Sequence, residues 1–325
     1  MPTRRRFCQS LAAGSIALSP LARALATLAE EEGRFEVIAL QPGFSAILGE
    51  GGNSLLVETE EGAILIDAKL PVSGPALVRL CAETIGAPPK ILINTHHHGD
   101  HTGGNHAFKG RSRIIAHANC APRVEAQLET YKGRAQRVAA NLQDSDERRA
   151  DALSTLTAIK EQGASAFAAD ELVSQEKNRL DLTLGGVPIR LQRFRNGHTD
   201  NDLIVHFPEA NLLHTGDLVF NGMHPYMDPP AGAESEGWQA SARSARALCG
   251  EQTVVIPGHG PVGDAAILEA QVAYFEALRA AVRPAVKEGA TREQVQKLPV
   301  EATAALDWSQ MLERNLGIVY DELAG

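Results

Sequence analysis

Thr95-His96-His97-His98-Gly99-Asp100-His101 places four imidazoles within seven residues, directly after Lys90-Ile-Leu-Ile-Asn94. That apolar run is nearly continuous, the pattern of a strand buried on both faces of a sheet. If the strand continues, His96 and His98 point the same way, and a turn at Gly99 brings Asp100 and His101 back to the same spot. His97, lying between two candidate ligands, should point the other way. Neutral imidazole and carboxylate are suitable zinc ligands, and a cluster this dense can serve two metals.

Three later segments carry further candidate ligands, each after a predicted strand. They are Asn196-Gly197-His198-Thr199, His214-Thr215-Gly216-Asp217 and Pro257-Gly258-His259-Gly260. The strands expected before them are 187–194, 211–214 and 254–256. Upstream, 35–40, 44–48, 54–58 and 63–67 read as an antiparallel meander with Gly-rich turns. A helix is expected near 75–85, strands over 90–94 and 113–117, and two or three exposed helices between 121 and 171. Strands resume at 180–184 and 203–207, and a long helix near 265–286 follows the last of them. Two β-rich halves, each followed by helices, imply a layered α/β architecture with paired sheets inside and helices outside.

In order along the chain, Asp67, His96-x-His98-x-Asp100-His101, His198, Asp217 and His259 resemble the ligand pattern of the metallo-β-lactamase superfamily. The resemblance runs from about Phe35 to the helix past His259. It implies an αββα sandwich, here with a helical insert over about 121–171, and a dinuclear site at the edge of the paired sheets. It assigns His96, His98 and His198 to one zinc, Asp100, His101 and His259 to a second, and Asp217 to both. Asp67 matches a position that orients the site by hydrogen bonds without binding metal. A dinuclear centre of this kind hydrolyses a substrate with a water activated between the ions, and Asp100 is the candidate catalytic residue that orients it. Diiron relatives carry an acidic residue where this chain has His98, which favours zinc.

The rest of the sequence bounds the setting. In 325 residues, 44% are hydrophobic and 22% charged, enough to bury a sizeable core. The formal charge of −9 repels phosphate backbones, so nucleic acid is not an expected partner. Thr3-Arg4-Arg5-Arg6-Phe7, a short apolar stretch and Ala24-Leu25-Ala26 resemble a twin-arginine export signal over 1–26, with residues 34–325 as one exported domain. A periplasmic location and no stable membrane insertion follow, since no stretch approaches ~20 continuous apolar residues. Cys81, Cys120 and Cys249 lack the paired spacing of a zinc or redox motif and read as structural. His106, His117, His206, His214 and His224 match no motif and are expected to be structural too.

The expected partner is a small-molecule substrate. Lactamases that use a cysteine ligand have it where this chain has Asp217, and Leu218-Val219-Phe220-Asn221-Gly222-Met223 lacks the lysine with which they hold the drug carboxylate. The reading is therefore a lactamase-like hydrolase of an amide- or ester-type bond. A glyoxalase II-like thioesterase or a lactonase is the alternative, and a zinc-binding module without catalysis is a further one. The loop His224-Pro225-Tyr226-Met227-Asp228-Pro229-Pro230 is a candidate wall of the substrate pocket.

Overall fold

A computed structural model describes residues 33–325. The expected export signal lies outside the described residues. Seven strands, β1 (Glu36–Gln41), β2 (Phe44–Leu48), β3 (Ser54–Thr59), β4 (Gly62–Ile66), β5 (Ile91–Ile93), β6 (Arg113–His117) and β7 (Glu171–Val173), form one sheet in sequential order. Pairing is antiparallel from β1 to β4 and parallel from β4 to β7. The switch is forced by the helix α1 (Gly74–Ile85), which returns the chain across the sheet before β5.

The second sheet holds β8 (Arg179–Leu184), β9 (Val187–Gln192), β10 (Ile204–Phe207), β11 (Leu212–Phe220) and β12 (Val254–His259), in the order β12-β11-β10-β9-β8. Inward side chains of both sheets, among them Leu55, Ile66, Ile93 and Ile115 against Leu191, Val205, Leu212 and Ile256, share one core. A second core packs α1 on the outer face of the first sheet through Leu77, Leu80, Leu65 and Leu92. A third packs later helices on the second sheet through Trp238, Leu268, Phe275 and Leu316. This is the expected αββα layering.

Two short helices, α2 (Gly99–Thr102) and α3 (Asn105–Phe108), follow β5. The insert is three helices, α4 (Cys120–Ala126), α5 (Leu128–Asn141) and α6 (Glu147–Gln162), and the segment expected to be helical throughout ends instead in the edge strand β7. On the other half lie α7 (Ser235–Arg246), α8 (Ala266–Lys287), α9 (Arg292–Val295) and α10 (Gln310–Ala324). The pattern predicts α8; α7 and α10 become evident only in the structure.

The strands β11 and β12 run further than their sequence predicts, so that Asp217 and His259 lie within strands and not after them. Gly216, at φ +51°, reads locally as a break. The parallel β11–β12 ladder absorbs it as a register shift and continues to Phe220 opposite His259. All three described cysteines are free, with Cys81 and Cys120 buried. Among the described residues no helix is long and apolar enough to cross a membrane.

The insert is tied to the sandwich by a buried ion-pair cluster. Arg34 Nη1 lies 2.6 Å from Asp151 Oδ2 on α6, and Arg79 Nη1 lies 2.8 Å from Asp151 Oδ1. Removing one partner of a buried pair strands the other, so Asp151→Ala should destabilise the protein by about 3 kcal/mol. Urea unfolding monitored by circular dichroism measures the loss, and an unchanged midpoint would contradict the role given to this cluster.

Candidate metal centre

The site forms where the ends of β4, β5, β11 and β12 meet the loop between β9 and β10. His96, His98, His198 and Asp217 come together with their ligand atoms within 4.8 Å of one another, and Asp100, His101 and His259 form a second such group beside them. Asp217 joins the two: its Oδ1 lies 3.1 Å from His101 Nε2, and its Oδ2 lies 3.4 Å from both His198 Nε2 and His259 Nε2. All seven residues singled out in the sequence thus converge.

Four of the five ligand histidines are oriented by a partner on the far side of the ring. Asp67 Oδ2 accepts from His101 Nδ1 at 2.7 Å and from Thr95 Oγ1 at 2.8 Å, while Asp67 Oδ1 accepts from the Thr95 amide at 2.8 Å. With its own proton committed to Asp67, Thr95 Oγ1 accepts from His96 Nδ1 at 3.1 Å. His198 Nδ1 donates to the Tyr226 carbonyl at 2.8 Å, and His98 Nε2 donates to Asp228 Oδ2 at 2.9 Å. Three histidines therefore offer Nε2 to the site and His98 offers Nδ1, the orienting arrangement usual for metal-binding imidazoles.

These residues fit a metal. His96 Nε2, His101 Nε2 and Asp217 Oδ1 are buried and make no hydrogen bond. His98 Nδ1 and His198 Nε2 face each other at 2.8 Å although the proton of each ring is engaged elsewhere. Buried polar atoms left unmatched are costly, and a cation among them would remove that cost.

The electrostatics divide the groups. Burial, reinforced by His101, holds His96 well below the usual imidazole range, and burial brings His198 to about 3. Burial also disfavours charge on His101 and His259, yet neighbouring carboxylates, Asp217 foremost, outweigh it; they raise His101 well above its ordinary value and His259 to about 9. Burial works against ionisation of Asp217, but His259, His101 and His96 keep it strongly acidic.

Backbone features hold this geometry. A Cβ at Gly52 would occupy the His101 ring, and one at Gly258 would meet Asp217 Oδ1, so both positions require glycine. Asp67 and Lys69 take φ values of +60° and +67°, and buried Lys69 Nζ donates to the carbonyls of Ile47 and Gly52 at 2.6 Å each. Asn53 joins the sheets, its Nδ2 donating to the carbonyls of Pro257 and Gly260.

His97 departs in part from expectation. It turns away from Asp217, but it still reaches the cleft, with Nε2 4.0 Å from Asp228 Oδ2 and Nδ1 accepting from Asn201 Nδ2 at 3.1 Å. The other histidines have protein partners: His106 with the Pro71 carbonyl, His117 with Asn178, His214 with the Asn53 carbonyl and His224 with Tyr274. His206 differs in that its buried Nδ1 has none. Asp228 and Lys69 escape sequence reasoning. Asp228 lies in the loop marked as a pocket wall, but no local pattern pairs it with His98, 130 positions away.

Comparison with known proteins bears on the family and the fold. A family model described as the metallo-beta-lactamase superfamily matches residues 47–259. The chain belongs to the metallo-beta-lactamase superfamily. It is 22% identical over 217 residues to the metallo-beta-lactamase type 2 of Bacillus cereus, covering 66% of this chain and 70% of that protein. It is 26% identical over 223 residues to a linear primary-alkylsulfatase of Pseudomonas sp. (strain ATCC 19151), covering 63% of this chain and 40% of that protein. Among solved structures, a metallo-beta-lactamase from Pontibacter korlensis superposes with a TM-score of 0.56 at 19% identity, over 75% of this chain and 99% of that one. A stereoselective inverting sec-alkylsulfatase from Pseudomonas sp. superposes with a TM-score of 0.68 at 18% identity, over 93% of this chain and 52% of that one. As a metallo-beta-lactamase superfamily member with these His/Asp clusters, the chain is a metallohydrolase.

If Asp228 fixes the tautomer and orientation of His98, Asp228→Ala should lower metal affinity about 10- to 100-fold while leaving the fold intact. Competition for zinc against a chelating dye measures this, and wild-type affinity would exclude that function for Asp228.

Proposed function

We propose that this chain is a periplasmic two-zinc hydrolase that cleaves an amide- or ester-type bond of a small molecule. The observation that carries the reading is the pair of ligand groups joined by Asp217, with buried ring nitrogens and a carboxylate oxygen left without hydrogen bonds. His96, His98 and His198 would hold one zinc, Asp100, His101 and His259 the other, and Asp217 both. Bound there, the ions would supply Lewis acidity toward the scissile group and lower the pKa of water to about 7.

The protein's own groups do the rest. Asp100 Oδ2, 3.2 Å from His259 Nε2, lies at the base of the cleft. Burial opposes its ionisation, but His101 and His259 outweigh that and keep it a carboxylate, able to orient a water through its acceptor lone pairs. Phe220 stacks on His259 with ring centroids 5.1 Å apart and shields that side of the site from solvent.

Sulfate-ester cleavage is a second reading, favoured by one observation. The alkylsulfatase fold follows 93% of this chain, against 75% for the lactamase fold.

The zinc-loaded chain lacking residues 1–26 is tested on a chromogenic cephalosporin, an aryl ester, a lactone, a thioester, a phosphodiester and an alkyl sulfate. We expect turnover of one bond class, abolished by a chelator, restored by zinc and lost in His96→Ala. Asp100→Asn should lower turnover about 100-fold and zinc content far less. Turnover that survives complete metal removal refutes the reading. For location, cell fractionation should find the protein in the periplasm, and Arg5→Lys with Arg6→Lys should retain it in the cytoplasm.

A further inference from the structure

Beside the metal centre opens a cleft of about 790 Å³ whose two walls have opposite chemistry. One wall is a face of α5 with its preceding residue: Gln127, Thr130, Tyr131 and Arg134 recur at the i, i+3, i+4, i+7 spacing of a single helix face. That face is locked to the histidine loop. Gln127 Nε2 donates to the His97 carbonyl at 2.9 Å, Tyr131 Oη lies 2.9 Å from Thr102 Oγ1, and a Cβ on Gly99 would press on the Tyr131 ring. Arg134 stands one turn further along the same face. It is the one Arg or Lys among the described residues lining the cleft, and it makes no ion pair with any described residue. The carboxylates of the cleft, by contrast, are all engaged: Asp228 by His98, Asp100 by His259 and Asp217 by His101.

The other wall is apolar. Trp308 and Tyr226 are 41% and 38% exposed, and of four large exposed apolar side chains among the described residues these two stand on the cleft, beside Met311. Both are held in place. Asp307 bridges to Met223, and the Asp307 amide donates to the Gly222 carbonyl, so Trp308 faces His259 at 5.7 Å between ring centroids. The Arg314 guanidinium lies 4.5 Å over the Tyr226 ring. Ordered aromatic surface left open in the same cleft as an unpaired cation is the layout of a binding site with an apolar side and an anion-binding side.

We infer that the cleft takes amphiphilic monoanions, seating a chain or ring against Trp308, Tyr226 and Met311 and an oxyanion head group, carboxylate or sulfate, at Arg134. The inference rests on the hydrolase reading of the same site and specifies its substrate class.

Binding of octanoate, octane-1-sulfonate and 1-octanol to the zinc-loaded protein tests it, because none of the three is hydrolysed. Isothermal titration calorimetry reads affinity, and tryptophan fluorescence reports on Trp308. Both anions should bind at least about tenfold more tightly than octanol. Arg134→Met should remove about tenfold from the anions and leave octanol unchanged, Arg134→Lys should keep most of the preference, and Trp308→Ala should weaken all three. The tighter anion identifies the head group. Octanol binding as tightly as the anions, or Arg134→Met binding them like the wild type, overturns the inference. Arg134-dependent binding without turnover of any probe would instead remove the hydrolase reading and leave the cleft's selectivity standing.

Discussion

The burial of Asp217 is the constraint on which the rest of this structure depends. A carboxylate 4% exposed, at the junction of two sheets, is tolerable only where positive charge or donors surround it. Four imidazoles do so, but not alike. His96 and His198 are held neutral and present lone pairs, whereas His101 and His259 are drawn toward the protonated form by the carboxylates beside them. A cation bound at the second group would displace the protons that these carboxylates draw onto His101 and His259. Charge balance, more than any single contact, explains why residues from both sheets converge on one carboxylate.

Holding so many polar groups in register uses strain and close approach. Asp67 adopts a left-handed backbone conformation uncommon outside glycine, and three hydrogen bonds to Thr95 and His101 hold it there. The C-terminal helix contributes from far away in sequence. Asn315 Nδ2 donates to the Pro225 carbonyl, and Arg314 bonds the Met227 carbonyl while covering Tyr226. Those contacts fix the loop whose Tyr226 carbonyl and Asp228 carboxylate orient His198 and His98. The helix therefore acts on the metal centre through one loop, without touching it.

What was legible in the sequence is what short-range pattern encodes. The apolar strand before His96, the i, i+2 histidines and the Gly-His and Gly-Asp turns are local, and with the strand pattern they point to the layering; grouping the seven side chains into one site took the resemblance to a known ligand pattern. Strand ends were less legible, because β11 continues past Gly216 only through hydrogen bonds from β12. Asp228, Lys69, Trp308 and Arg134 carry no local signal. Asp228 is placed by His98, 130 positions away, Lys69 by the carbonyls of Ile47 and Gly52, and Trp308 by packing on His259, while Arg134 stands on a helix face whose partner the sequence does not name.

That division bears on how specificity arises in such a fold. The ligand set is compatible with many hydrolytic chemistries, so the centre alone does not choose a substrate. The cleft walls come instead from the helical insert and the segment entering α10, which flank the two sheets on opposite sides. Both are pinned to the centre, the insert through Tyr131 and Gln127 and the C-terminal segment through Asp307 and Asn315. Because the walls lie outside the ligand motif, they could change without disturbing the charge balance around Asp217.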